Sequence, residues 1–170
     1  HPCQAMADFF TLKEKRGDLQ SLKLAYIGDG NNVCHSLLFA AAKAGSQMRV
    51  ATPQGYEPKP EIVRQAEEDA GQTAASFLFT HDPSEAAAGA DAVYTDVWTS
   101  MGQEREREER AKLFAPYQVN RQLMAKAKEN AVFMHCLPAH RGEEVTGDVM
   151  DSSQSIVYDQ AENRLHLQKV

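Results

Sequence analysis

The sequence predicts an α/β chain: a doubly wound, mainly parallel sheet with helices on both faces. Three observations carry that reading. Short runs rich in β-branched and aromatic residues recur along the chain, and most are apolar throughout rather than alternating, as strands covered on both faces are. Helix-like stretches with apolar residues at three- and four-residue spacing lie between them. Proline and glycine stand where helices begin and end.

Residues 1–16 read as a helix, with Pro2 in the first turn and Phe9 and Leu12 on a partial apolar face. A self-contained doubly wound unit needs no helix ahead of its first strand, so this one reads as a connector from an upstream domain. The expected strands are 22–28 (LKLAYIG), 48–52 (MRVAT), 76–80 (SFLFT), 91–96 (DAVYTD), 131–136 (AVFMHC) and 155–158 (SIVY). Between them, helices are expected at 32–44, on Val33, Leu37, Ala41 and Ala44, and at 58–70, which has Pro early and Gly71 after it. Further helices are expected at 83–88, at the Glu- and Arg-rich 103–114, at 117–129 on Val119, Leu123 and Ala127, and from residue 160 to the end of the chain. Crossovers should be right-handed. The run EREREER at 104–110 reads as a solvated helix face, its mixed charges falling at helical spacing.

At 170 residues the chain has the length of one domain. No apolar run approaches the ~20 residues of a membrane span. The net charge of −6 disfavours a nucleic-acid backbone as partner. Cys3, Cys34 and Cys136 are odd in number and widely spaced, which argues against a disulfide framework and for a reducing compartment. No signal-peptide pattern opens the chain, and a cytoplasmic location is expected.

Ligands of an open parallel sheet bind beyond the carboxyl ends of its strands, and three segments lie there. IGDGNNV at 27–33 partly matches a dinucleotide fingerprint, but Val33 stands where a third glycine belongs. The other readings are a tight turn with Asn31 and Asn32 capping the helix, or a small polar ligand on an Asn amide. TDVWTSMGQE at 95–104 closes a strand with Asp96 and continues into a Ser100-Met101-Gly102 tip. There a carboxylate could hold an ammonium, or merely brace the loop. FMHCLPAHRGEEV at 133–145 sets His135 beside Cys136. As strand neighbours they should point to opposite faces, which speaks against a shared metal. A nucleophilic Cys136 would need His1, His35, His81 or His140 within reach as base, and a packed thiol is the plainer reading. A fourth segment, HPCQ at 1–4, puts a His and a Gln on one helix face.

HPCQ, GDGNN, DVWTSMGQE and HCLP, with the closing AENR at 161–164, stand in this order and spacing. Together they resemble the second, ornithine-binding domain of ornithine carbamoyltransferase. The resemblance implies a Rossmann-like domain at 17–159, preceded by the connector at 1–16 and followed by the start of a truncated final helix at 160–170. It also implies an absent carbamoyl-phosphate domain, since no Ser-Thr-Arg-Thr phosphate motif is present. His1 and Gln4 then match the motif that touches carbamoyl phosphate, with Leu137 offering its carbonyl and Arg164 a guanidinium. Asn32 matches the residue that holds the ornithine α-carboxylate, and Asp96, Ser100 and Met101 match the loop at its α-amino end. Cys136 matches the thiol beside the δ-amine and the carbamoyl group, with Asp96, Cys136 and His1 as the catalytic set. The Leu137–Pro138 bond is expected cis. The resemblance implies L-ornithine and carbamoyl phosphate as partners and a homotrimer for a full-length enzyme. No metal, cofactor, nucleic acid or membrane is expected. Acetylornithine or putrescine as amine, a nucleotide-binding module, and a non-catalytic relative are the competing readings.

Overall fold

Five of the six expected strands form one sheet, and the sixth does not. The computed structural model describes residues 1–99 and 107–169. In chain order the elements are α1 (Pro2–Arg16), β1 (Lys23–Ile27), α2 (Asn32–Ala44), β2 (Gln47–Ala51), α3 (Pro60–Ala70), β3 (Ser76–Thr80) and α4 (Pro83–Ala87). They continue with β4 (Ala92–Thr95), α5 (Arg107–Phe114), α6 (Arg121–Met124), β5 (Val132–His135), α7 (Gly147–Met150) and α8 (Val157–Leu167). The strand order is β3-β2-β1-β4-β5, and every pairing is parallel. The order reverses at β1, as in a doubly wound sheet.

Local chemistry sets the helix ends. The Asn31 side chain accepts from the Val33 and Cys34 N–H groups and starts α2, and Gly45 ends it at φ 74°. Pro60 starts α3, and the Asp82 side chain caps α4 by accepting from the Ser84 N–H.

The central strands are covered on both faces, and alternate residues feed two cores. Leu24 and Tyr26 join Leu12, Leu37, Met48, Tyr94 and Met134 on one side. Ala25 and Ile27 join Val93, Val119, Phe133 and Val149 on the other. Edge strand β3 departs from the expectation of double cover: Leu78 and Phe79 are each 36% exposed. Its apolar sequence reads like a central strand, but the strand order leaves it at the margin.

Three sequence expectations need correction. Residues 155–158 are not a strand. Ser155 forms an isolated bridge with Phe133, and the chain enters α8 at Val157, so that helix starts before residue 160. Val157, Gln160 and Asn163 are the buried side of α8, a helical spacing that overrides the brief β-branched run. Nor is 117–129 one helix. Val119 pairs with Val145, its N–H donating to the Glu144 carbonyl at 2.9 Å and its carbonyl accepting from the Thr146 N–H at 3.0 Å. Asn120 then caps the short α6, accepting from the Leu123 N–H. Of the helix expected at 103–114, residues 107–114 are helical and the rest lie outside the described residues.

Asp91 clamps the far end of the sheet. Its carboxylate accepts from the Lys23 N–H at 3.0 Å, Arg16 at 3.1 Å and Lys128 at 2.7 Å, which ties α1, β1 and the entry to β5 to the start of β4. Burial pushes the Asp91 carboxyl up, but these donors outweigh it and hold the group below the usual carboxylate range.

Leu24 is fully buried on the central strand, so Leu24→Ala should lower the unfolding free energy by about 2–5 kcal/mol. Leu78→Ala on the exposed margin should cost less than about 1 kcal/mol. Urea denaturation of the two variants measures the contrast.

Candidate active site

Strands β1, β4 and β5 run side by side in register, Ile27 against Thr95 and Thr95 against His135. The loops that follow them therefore leave from one edge of the sheet. Those loops carry Asn31, Asp96, Cys136 and Leu137, and Asn32 follows as the first residue of α2.

At that edge Asp96 is the meeting point. The Cys136 thiol donates to Asp96 Oδ1 at 3.0 Å, and the Asn31 amide donates to Asp96 Oδ2 at 2.7 Å. Burial pushes the Cys136 thiol well above its ordinary pKa, and the neighbouring Asp96 pushes it further. The group is a neutral thiol at neutral pH. Its recorded partner is a carboxylate and not an imidazole, so the arrangement lacks the thiol–base pair of a cysteine nucleophile. His35 accepts from the Lys59 N–H, and His81 contacts the Thr52 carbonyl.

His135 and Cys136 do not point to opposite sides as strand neighbours would. The strand ends at His135, and the donor atoms of Asp96, His135 and Cys136 lie within 4.8 Å of one another. Both imidazole nitrogens are nevertheless engaged. Nδ1 accepts from the Leu137 N–H at 2.8 Å, and Nε2 is 3.1 Å from Glu144 Oε1. With Nδ1 as acceptor, Nε2 carries the proton and donates to Glu144. Glu144 also accepts from the His140 N–H, at 2.6 Å. Burial pushes the Glu144 carboxyl up, but the His135 and His140 donors prevail and hold it low. This buried pair shapes the turn that carries Leu137, at φ 60°, and the Leu137–Pro138 bond is cis.

The first glycine loop is filled by the protein itself. A Cβ on Gly30 would lie 2.3 Å from the Pro58 nitrogen and 2.6 Å from the Tyr56 carbonyl oxygen. The Gly30 N–H donates to that carbonyl at 2.8 Å. The glycine therefore serves close packing against the loop after β2, which does not favour the nucleotide-binding reading.

A second polar group lies across α1, β4 and α8. Gln4 and Gln160 each donate to Asp8 Oδ1 at 2.7 Å, and the Tyr94 hydroxyl donates to Oδ2 at 2.9 Å. Arg164 donates to Gln4 Oε1, and the Gln160 carbonyl oxygen accepts from the His135 N–H at 3.1 Å.

The structure thus joins Asp96 with Cys136, and Gln4 with Arg164. Asn32 is exposed in the first turn of α2, and its amide makes no hydrogen bond with the described residues. His1 is exposed at the head of α1, one turn before Gln4. Ser100 and Met101 lie outside the described residues. Asn31 caps α2 as expected and its amide in addition holds Asp96; sequence reasoning left out Asp8, Tyr94 and Gln160. It also misread Arg110 as part of a solvated face. That side chain is buried, donates to the Trp98 carbonyl at 2.6 Å and to Asp29, and stacks on Tyr56 and Phe114. Only the alternation of charge in EREREER was visible, and it does not say which arginine turns inward.

Alkylation should sort the thiols by burial and charge. In the folded chain at pH 8, iodoacetamide should label exposed Cys3 first, Cys136 much more slowly, and buried Cys34 only on unfolding. Asp96→Asn removes a group that raises the Cys136 pKa and should speed its labelling several-fold, as read by peptide mass spectrometry.

Comparison with known proteins adds the family. The model described as "Aspartate/ornithine carbamoyltransferase, Asp/Orn binding domain" matches residues 20–170. An ornithine carbamoyltransferase of Thermococcus kodakarensis is 59% identical over 169 residues, 99% of this chain and 54% of that protein. The structure of ornithine carbamoyltransferase from Pyrococcus furiosus superposes with a TM-score of 0.96 at 57% identity, over 99% of this chain and 54% of that one. The ornithine transcarbamoylase structure from Giardia lamblia gives 0.91 at 37% identity, over 98% and 57%. The chain spans about half the length of the curated relatives it matches. With the family model covering nearly its whole length, the chain belongs to the aspartate/ornithine carbamoyltransferase family, as an Asp/Orn-binding domain.

Proposed function

We propose that this chain is the ornithine-binding half of an enzyme that carries the carbamoyl group of carbamoyl phosphate to the δ-amine of L-ornithine, giving L-citrulline and phosphate. The observation that carries the reading is the Cys136–Asp96–Asn31 cluster at the carboxyl edge of β1, β4 and β5. The names of the relatives support ornithine over other amines.

The amine nitrogen must attack in its neutral form, although a lysine-like amine has a pKa of about 10. A neutral thiol whose proton is committed to Asp96 leaves sulfur lone pairs for an amine N–H, and it binds no extra positive charge there. Asn32, with its amide unspent on the described residues, would receive the α-carboxylate. Asp96, Ser100 and Met101 would hold the α-amino end. On the other side His1, Gln4, Arg164 and the Leu137 carbonyl would hold the carbamoyl group. Attack of the neutral amine forms the C–N bond, the tetrahedral intermediate expels phosphate by breaking the C–O bond, and the proton lost from the amine nitrogen passes to the departing phosphate, which leaves as hydrogen phosphate. Orientation and stabilisation of the oxyanion would supply the rate. His1, Gln4 and Arg164 are too few to hold a phosphate dianion alone. A separate carbamoyl-phosphate domain would complete the site, with α1 as connector and α8 as the start of a returning helix. A trimeric, cytoplasmic enzyme is the corresponding expectation for the complete protein.

The isolated chain should make no citrulline. Co-expression with the remaining half of the Thermococcus kodakarensis relative should restore measurable turnover, and Cys136→Ala or Asp96→Asn should lower it at least about tenfold. A folded, complemented pair that carbamoylates no amine, or whose turnover ignores both substitutions, would remove the proposal. An ornithine, acetylornithine and putrescine panel on the same pair assigns the amine.

A further inference from the structure

Asp8 is a fully buried carboxylate that the reaction outlined above does not use. It lies one helical turn after Gln4 on α1, so the two side chains share a face. Three donors converge on it: the amides of Gln4 and Gln160 on Oδ1, and the Tyr94 hydroxyl on Oδ2.

A glutamine amide offers a donor on one side and an acceptor on the other, and can sit either way round. Gln4 is denied that choice. An ionised carboxylate only accepts, so Asp8 takes the Gln4 NH2. A guanidinium only donates, so Arg164 takes the Gln4 carbonyl oxygen. Gln160 is held by the same logic, with its NH2 on Asp8 and its carbonyl oxygen on the His135 N–H. Asp8 thus stands between the helix that opens with HPCQ and the strand end that carries Cys136.

We infer that Asp8 is a positioning residue that fixes the orientation of the Gln4 amide, and through it the carbamoyl contact of the site. The inference rests on the reading of Gln4 as a carbamoyl-phosphate contact. An asparagine keeps both glutamine contacts in one orientation only, with its NH2 toward a Tyr94 hydroxyl turned to accept, and it offers them a neutral acceptor in place of a charged one. Protonation removes the charge that strengthens all three bonds, so it weakens the hold on the Gln4 NH2. Burial raises the Asp8 carboxyl to about 6, against the pull of its three hydrogen-bond donors and the charge of Arg164. The titratable and charged groups that face it are Tyr94 from β4, Arg164 from α8 and the Cys136 thiol beyond β5. Tyr94 and Cys136 are both pushed upward by burial, so Asp8 is the group among them that changes charge near pH 6. The Gln4 lock is set above that pH and loosens below it.

Side-chain amide NMR of the chain tests this directly. In the unsubstituted protein the Gln4 and Gln160 NH2 signals should move together between pH 5 and 7.5, with a common midpoint near 6. Asp8→Asn should abolish that titration, and Asp8→Glu should retain one. Gln4 signals that stay still while the Asp8 carboxyl carbon signal reports its protonation, or that titrate unchanged in Asp8→Asn, overturn the inference. The measurement on the unsubstituted chain decides even if Asp8→Asn fails to fold. In the complemented enzyme, Asp8→Asn should raise KM for carbamoyl phosphate about tenfold, with KM for ornithine changed less than twofold. Equal effects on both substrates would mark a general structural role and overturn it. If the NMR coupling holds while the unsubstituted pair has no activity, the functional reading fails and the Asp8–Gln4 lock stands.

Discussion

The parallel register of β1, β4 and β5 is the constraint on which the site depends. Parallel pairing sets Ile27, Thr95 and His135 in one row, so the three following loops must leave from the same edge. An aspartate 65 residues beyond Asn31, and a cysteine 40 residues beyond that aspartate, then meet within hydrogen-bond distance. The apolar strands supply the driving force, because each central strand buries side chains into both cores and a slip of one residue would exchange the two sets.

Around that edge the protein places buried polar groups, and each is costly unless fully bonded. The His135–Glu144 pair holds the Leu137 turn. Arg110 joins the loop after β1 to the one after β4 through Asp29 and the Trp98 carbonyl, with aromatic rings on its face. Asp8 gathers donors from α1, β4 and α8. None of these groups contributes much net stability, since desolvation consumes most of what the bonds return. Their effect is geometric: they remove alternative positions for the loops that carry Asp96 and Cys136 and for the Gln4 side chain on α1.

The chemistry at Cys136 follows from the same arrangement. A cysteine prepared for attack has a lowered pKa beside an imidazole or a cation. Here burial and a neighbouring carboxylate drive the thiol the other way. A thiol held in that state is not prepared to attack.

The sequence by itself determined the elements whose signals are local. Apolar runs mark the strands β1, β2, β4 and β5, Asn31 and Gly45 bound α2, and Pro60 starts α3. The place of Asp96 and Cys136 was legible too, because each directly follows an apolar run that forms a strand. Tertiary structure decided what no local signal carries. Val119 pairs with Val145 and breaks the expected helix at 117–129, and sheet order leaves the apolar β3 at the margin. Arg110 turns inward from a run of alternating charge, and Asn31 rather than Asn32 meets Asp96. Asp8 and Gln160, 152 residues apart, share a hydrogen bond. In each case the deciding partner is distant in sequence. Periodicity records how a residue is placed on its own element, whereas burial and pairing depend on which element the fold lays against it.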